Sequence, residues 1–315
     1  MKTYQQFING ALVNSHSSGW IEVENPYTGE IIARAPSGDA RDAADALEAA
    51  RRAQPAWAAR TAADRGGYLK KMASLIRERR VELARILASE QAKVLPLAQV
   101  EIDVTAEYFD YYAGWARIYE GEIIQSDSAN ENIFLFQKPI GVVAGICPWN
   151  FPFFVMARKV APALLTGCAI VVKPSSLTPC STFEFAGMLA SLDLPKGVVN
   201  FLSGAGQTLG NALVTHPATD MVTLTGSVEA GQEVIRASAE RVTKVSLELG
   251  GKAPAIVFAD ADLDIAVKGI VDSRVIFSGQ VCNCAERAYV HKSVYDAFLD
   301  RFTKAMKAVT YGDPF

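Results

Sequence analysis

The sequence predicts an α/β protein built around a doubly wound parallel sheet. Three observations carry this reading. From Ile140 onward, short segments rich in Val and Ile alternate with helical stretches of about 10–15 residues. Segments such as "GVVAGI" are short and apolar, as strands covered on both faces are. Glycine and polar residues collect where each of them ends, the edge at which open parallel sheets hold their ligands.

Taken in order, "QFINGALVNS" and "IEVENPYTGEIIARAP" read as short strands, the first pair turning at Asn9-Gly10. From about Gly38 to Gly121 the apolar residues recur at spacings of three and four, in "DARDAADALEAARRAQPAWAA" and "DRGGYLKKMASLIRERRVELARILASEQAK", with Asp64 as a helix cap. "ENIFLFQKP" then alternates as a strand. The alternating region follows: "GVVAGI" (strand), "FPFFVMARKVAPALLTG" (helix), "CAIVVKP" (strand), "STFEFAGMLASL" (helix), "GVVNFLSG" (strand), "QTLGNALVTH" (helix), "MVTLTGS" (strand), "EAGQEVIRASAE" (helix) and "KVSLELGG" (strand). Its strand ends are Pro148-Trp149-Asn150, Lys173-Pro174-Ser175, Ser203-Gly204, Thr225-Gly226-Ser227 and Glu248-Leu249-Gly250. A second α/β unit starts after Gly251, so the expected division is 1–250 and 251–315, the second part being short for an independent domain.

Composition narrows the function classes. The chain has 315 residues, half of them hydrophobic, and a net charge of -3, which gives no reason to expect nucleic acid or an anionic membrane as partner. The first twenty residues lack a signal-peptide pattern, and no apolar run reaches the roughly 18 residues of a membrane span. Five cysteines, an odd number, fit reduced thiols in a cytoplasm. The three histidines are not paired at i, i+4, and Cys282-Asn283-Cys284 has no second ligand pair nearby, so no metal site is expected.

The chemical candidates sit at the strand ends and in one loop. "SGQVCNCAER" (278–287) lies between a helix and a strand and is rich in small and polar residues. Cys282 there is either a buried structural thiol or a nucleophile that needs a base. Glu248 ends an apolar strand ahead of two glycines; it is a base or the partner of a nearby cation such as Lys252. Asn150 can donate to an oxyanion or cap the following helix. Two glycine-rich turns, "GAGQTLG" with Gly206 and Gly210 and "TGSVEAG" with Gly226 and Ser227, suggest anion binding at helix N-termini, and Lys173 adds a cation at the same edge.

Taken together these residues resemble the aldehyde dehydrogenase superfamily. "PWNFP" (148–152), "KPS" (173–175), "TGS" (225–227), "LELGGKAP" (247–254) and "SGQVCNCAER" stand in the family's order, and Cys282 follows Glu248 by 34 positions, as in the family. "LELGGKAPAIV", "IVDSRVI" and "GQVCNCAER" are most similar to the lactaldehyde and glycolaldehyde dehydrogenase branch. The resemblance implies a Rossmann-like NAD(P)-binding domain followed by the first part of a catalytic domain. It implies Cys282 as nucleophile, Asn150 and the Cys282 N–H as oxyanion donors, and Glu248 as the base that activates water on the thioester; Cys284 is a bystander.

For the cofactor, NAD or NADP, the resemblance implies Lys173 at the adenosine ribose and Trp149 and Ser227, with the Gly226 turn, at the pyrophosphate. Gly206 and Gly210 line the adenine side, and Leu249 touches the nicotinamide through its backbone. Ser176 stands where the NAD-preferring pattern has Glu, which predicts weaker discrimination against NADP. Arg158, eight positions past Asn150, is the candidate reader of a hydroxyaldehyde, against the alternative of an ordinary surface Arg. Family members are homodimers or homotetramers, paired through strands such as "NIFLFQK" near 132–138. The resemblance further implies that the family's catalytic domain continues beyond residue 315, making this a C-terminally shortened member. Two other readings stay open: a thiol-dependent esterase, and an inactive nucleotide-binding fragment.

Overall fold

The computed structural model describes residues 1–315. It opens with β1 (Lys2–Thr3), β2 (Gln6–Ile8), β3 (Ala11–Val13), β4 (Trp20–Glu24) and β5 (Ile31–Pro36). Asn9 and Gly10 take φ of +53° and +77°, the two left-handed residues a tight hairpin between β2 and β3 requires.

Four helices follow: α1 (Ala40–Ala58), α2 (Ala62–Glu78), α3 (Arg80–Gln91) and α4 (Leu95–Trp115). The cap of α2 is Thr61, whose hydroxyl accepts from Asp64 N at 3.2 Å. Asp64 instead occupies the first turn, where its charge complements the helix dipole; the sequence reading placed the cap three residues late. Between α3 and α4 the chain reverses at Ala92, whose φ of +52° is unusual for a residue with a Cβ. A hairpin of β6 (Glu122–Gln125) and β7 (Asn132–Leu135) comes next.

The alternating region supplies β8 (Val142–Ile146), α5 (Pro152–Leu165), β9 (Ala169–Lys173), α6 (Cys180–Leu189), β10 (Val199–Phe201), α7 (Asn211–Thr215), β11 (Met221–Thr225), α8 (Val228–Ala239) and β12 (Lys244–Glu248). The stretch expected as one helix from Gln207 begins as a wide π-type turn over Gly206–Gly210 before α7. The five strands are parallel, in the order β10-β9-β8-β11-β12, and β2 and β3 extend the β10 edge antiparallel. The first strand of the series, β8, lies between the second and the fourth. The chain therefore changes winding direction between β8 and β11, and a crevice opens outside their carboxyl ends. The core packs β8–β10 against α1–α6, with Trp57, Phe109, Phe153, Phe185 and Phe201 fully buried.

The chain divides into two compact units, Met1–Glu248 and Leu249–Phe315. The second holds β13 (Ala253–Val257), α9 (Leu263–Val275), β14 (Ala285–Val290) and α10 (Tyr295–Lys307). Its two strands pair in parallel, and Val257, Val267, Val271 and Phe298 form its own small core. No helix of either unit is long and apolar enough to cross a membrane.

Candidate active site

In the first unit the winding change places a cavity of about 480 Å³ at the sheet's carboxyl edge. Its walls include Ile146 from the end of β8, Lys173 from the end of β9, Gly206 and Gly210 from the π-type turn, Leu224 from β11 and Ala230 and Val234 from α8. Largely apolar walls, with Lys173, Arg236 and Glu233 as charged groups and open glycine backbone, suit a flat base joined to a sugar. A Cβ built on Gly206 meets nothing within 4 Å, so the cavity reaches the backbone there. Lys173 is only 5% exposed, and burial lowers the affinity of its amine for a proton to a pKa of about 8.

Ser227 caps α8, accepting from Ala230 N at 3.1 Å, and Gly226 N donates to Glu248 O at 3.0 Å. The turn that presents the α8 N-terminus is thereby tied to the end of β12, where Thr225 and Glu248 are register partners. Ser176 donates to Gly204 O at 3.1 Å, which anchors the loop after β9. Gly204 has no space for a side chain: an added Cβ would lie 2.7 Å from Gly38 O. Trp149 is 39% exposed at the end of β8.

Asn150 does not cap α5. The cap position is Phe151, and Pro152 starts the helix. The Asn150 carboxamide oxygen accepts from Phe151 N at 3.0 Å, which makes the NH₂ end of that amide its donor end. The N-terminal amides of α5 are held by Glu101, whose Oε1 accepts from Phe153 N at 3.1 Å and Phe154 N at 3.2 Å. Glu101 pairs with Lys93 within the interior, both side chains fully buried, and Lys93 Nζ donates to Asn150 O at 2.7 Å. Burial pulls the two groups toward neutrality from opposite sides, lowering the pKa of Lys93 and raising that of Glu101. Glu90 does for α6 what Glu101 does for α5, accepting from Cys180 N at 2.7 Å and Ser181 N at 3.1 Å. None of Glu90, Gln91, Lys93 and Glu101 stood out in the sequence, because each acts on backbone far along the chain.

Two further side chains bear on the strand ends. Lys159 of α5, 6% exposed, donates to Thr223 and Thr225 at 3.0 and 3.1 Å. Desolvation lowers its pKa, and the nearby Glu248 carboxylate opposes that shift. Glu248 itself is exposed at the end of the edge strand β12. Arg158 is exposed on α5, its guanidinium 5.9 Å from the Phe154 ring, which packs edge-on against Tyr108. Helical turns can be counted only from Pro152, so the eight-residue spacing from Asn150 does not by itself put the two on one face.

In the second unit, Cys282 is exposed whereas Cys147, Cys168, Cys180 and Cys284 are all buried. The loop that carries it leaves α9 through Phe277, Ser278 and Gly279 with φ of +45°, +54° and +78°. Cys284 is fixed as a structural thiol: its Sγ donates to Gly279 O at 3.2 Å and lies 3.4 Å from Arg274 Nη1. Gly251 approaches so closely that an added Cβ would sit 2.9 Å from Cys282 O, a contact only glycine permits. Leu249 is half-buried at the start of this unit. Lys252, the cation weighed as a partner for Glu248, pairs with Glu286 at 2.9 Å.

Known proteins with this arrangement are numerous. Residues 12–315 match the model of the aldehyde dehydrogenase family. The chain is 53% identical over 311 residues to lactaldehyde dehydrogenase of Escherichia coli (strain K12), covering 99% of this chain and 65% of that protein. It is 44% identical over 314 residues to 3,6-anhydro-alpha-L-galactose dehydrogenase of Vibrio sp. (strain EJY3), covering 100% of this chain and 65% of that protein. The crystal structure of the Escherichia coli lactaldehyde dehydrogenase superposes with a TM-score of 0.97 at 52% identity, over 99% of this chain and 66% of that one. That of 3,6-anhydro-L-galactose dehydrogenase in complex with NAP superposes with a TM-score of 0.95 at 43% identity, over 99% and 66%. The chain thus spans about two-thirds of the length of the relatives it matches, and it belongs to the aldehyde dehydrogenase family.

Proposed function

We propose that this chain carries the NAD(P)-binding domain, and the nucleophile-bearing first part of the catalytic domain, of an enzyme that oxidises short hydroxyaldehydes to carboxylic acids. The observation that carries the reading is the cavity at the winding change, whose walls include Lys173, Gly206 and Gly210, three of the positions that the family resemblance implies for the cofactor. The likeness to a lactaldehyde dehydrogenase supports a short hydroxyaldehyde as substrate.

Lys173, with the Gly206 and Gly210 backbone, holds the adenosine half; Trp149, Gly226 and Ser227 hold the pyrophosphate at the α8 N-terminus; the Leu249 backbone meets the nicotinamide. When bound, the dinucleotide supplies the hydride acceptor. Cys282 adds as thiolate to the aldehyde carbon, and the carbonyl oxygen takes the negative charge. The Asn150 NH₂ and the Cys282 N–H stabilise that oxyanion. Loss of hydride leaves the acyl group as a thioester on Cys282. Glu248 then removes a proton from water, which attacks the thioester and frees the acid and the thiol. Ser176 supplies no carboxylate to repel a 2′-phosphate, so both NAD and NADP are accepted. Arg158 reads the substrate hydroxyl.

The test is nucleotide-dependent oxidation of lactaldehyde and propanal by the chain and by its cysteine variants. Cys282→Ala should abolish turnover while Cys284→Ala keeps most of it, and lactaldehyde should be preferred. Equal losses in the two variants would remove Cys282 from its role. Ester hydrolysis indifferent to nucleotide, without aldehyde oxidation, would replace the dehydrogenase by a thiol esterase.

A further inference from the structure

We propose that Lys93, Glu101 and Gln91 are positioning residues for the Asn150 carboxamide, holding its loop between β8 and α5 through a buried ion pair. The proposal rests on the reading of Asn150 as an oxyanion donor. Four backbone groups of the segment 149–154 are fixed from this side. Gln91 Nε2 donates to Trp149 O and, at 2.9 Å, to Asn150 O. Lys93 Nζ donates to the same Asn150 oxygen at 2.7 Å. Glu101 Oε1 takes the amides of Phe153 and Phe154, and its Oε2 holds the Lys93 ammonium. The Lys93 ammonium also stands 3.7 Å from the centre of the Phe151 ring.

Fold stability alone does not account for this arrangement. A fully buried ion pair costs desolvation that a pair of apolar side chains would avoid, so its net contribution to stability is small or negative. What the pair provides is a cation that cannot wander, since its anion is itself pinned to the α5 N-terminus. The cation is thereby held against the Asn150 carbonyl. Ala92 supports the same conclusion. Its left-handed φ of +52° breaks α3 just where Gln91 and Lys93 turn toward Asn150, a strained conformation for alanine. With Asn150 O gripped twice and its Oδ1 engaged by Phe151 N, the direction of its NH₂ group is set by the interior of the protein.

The test uses the double variant Lys93→Met/Glu101→Gln. It is charge-neutral, keeps an oxygen for the Phe153 and Phe154 amides, and loses the Lys93 donation to Asn150 O while that of Gln91 remains. Hydrogen exchange of the peptide covering 149–154 is the primary readout. It should speed up about tenfold or more while amides of β8 and β9 keep their protection. Unchanged exchange in 149–154 would overturn the proposal. If protection falls across the whole sheet, Gln91→Leu, which leaves both charges in place, decides by the same measurement. In aldehyde oxidation, the double variant should lose about 10- to 100-fold in kcat with KM little changed, the signature of a misplaced transition-state donor. A loss confined to KM would also overturn it. A wild-type chain without aldehyde oxidation would sink the proposed function, and the exchange experiment would still decide the positioning.

Discussion

Five helices of the first unit show two ways of satisfying an N-terminus. The helices α1, α2 and α8 carry their own caps, Asp39, Thr61 and Ser227, each bonding an amide two or three residues ahead. The helices α5 and α6, which follow β8 and β9, have no side-chain cap of their own. Their first amides are held by Glu101 and Glu90, carboxylates brought in from α4 and α3. A local cap stabilises a helix wherever the helix goes. A borrowed cap also fixes where the helix starts relative to the rest of the core, as Glu101 does for the helix that follows the Asn150 loop.

Removing a borrowed cap should have the largest effect. Glu101→Ala leaves the Lys93 ammonium buried without its anion and two amides without an acceptor, a loss of about 3–5 kcal/mol. Denaturant unfolding measures it, and a loss below about 1 kcal/mol would erase the distinction between the two kinds of cap.

The borrowed cap on α6 should show itself through pH. Burial raises the Glu90 carboxyl from its ordinary 4.5 to about 7. Between those values the folded chain keeps a proton that the unfolded chain has released. The Glu90 contribution is therefore complete below about pH 4.5 and lost as pH rises through 7, a span on the order of 3 kcal/mol. In Glu90→Gln this part of the pH dependence should vanish. Parallel stability-pH curves for the two proteins would show that Glu90 is already ionised in the fold.

A local cap should matter least. Thr61→Ala removes one hydroxyl acceptor from the start of α2 and should cost about 1 kcal/mol, read as a shift of Tm by a few degrees. A cost rivalling that of Glu101→Ala would mean that distance along the chain is not what separates the two groups.

Much of this was legible in the sequence. The β8–β12 strands with their intervening helices showed as alternating apolar runs, and the parallel sheet followed from them. Lys173 is legible as the end of an apolar strand and Gly206 and Gly210 as members of a glycine-rich turn, and all three line the cavity. The Asn9-Gly10 turn was readable because a tight hairpin needs two left-handed residues and that dipeptide accepts them most easily. The α2 cap was misplaced by three residues because Thr61 and Asp64 are both good N-terminal residues and periodicity does not choose between them.

The sequence by itself determined the period of each element, the chemistry available at the strand ends and the motifs that join them to a family. These are properties of neighbours along the chain, set by rotamers, turns and the side-chain repeat of helix and strand. Only the tertiary structure decided that Cys282 is exposed while Cys284 is buried two residues later, and that Gly251 leaves room for the Cys282 carbonyl. It alone decided that Lys93 and Glu101 meet the Asn150 loop, across a gap of about fifty residues that no local pattern spans. A charge buried so deeply is tolerated only with its partners in place, and those partners exist only once the core has closed.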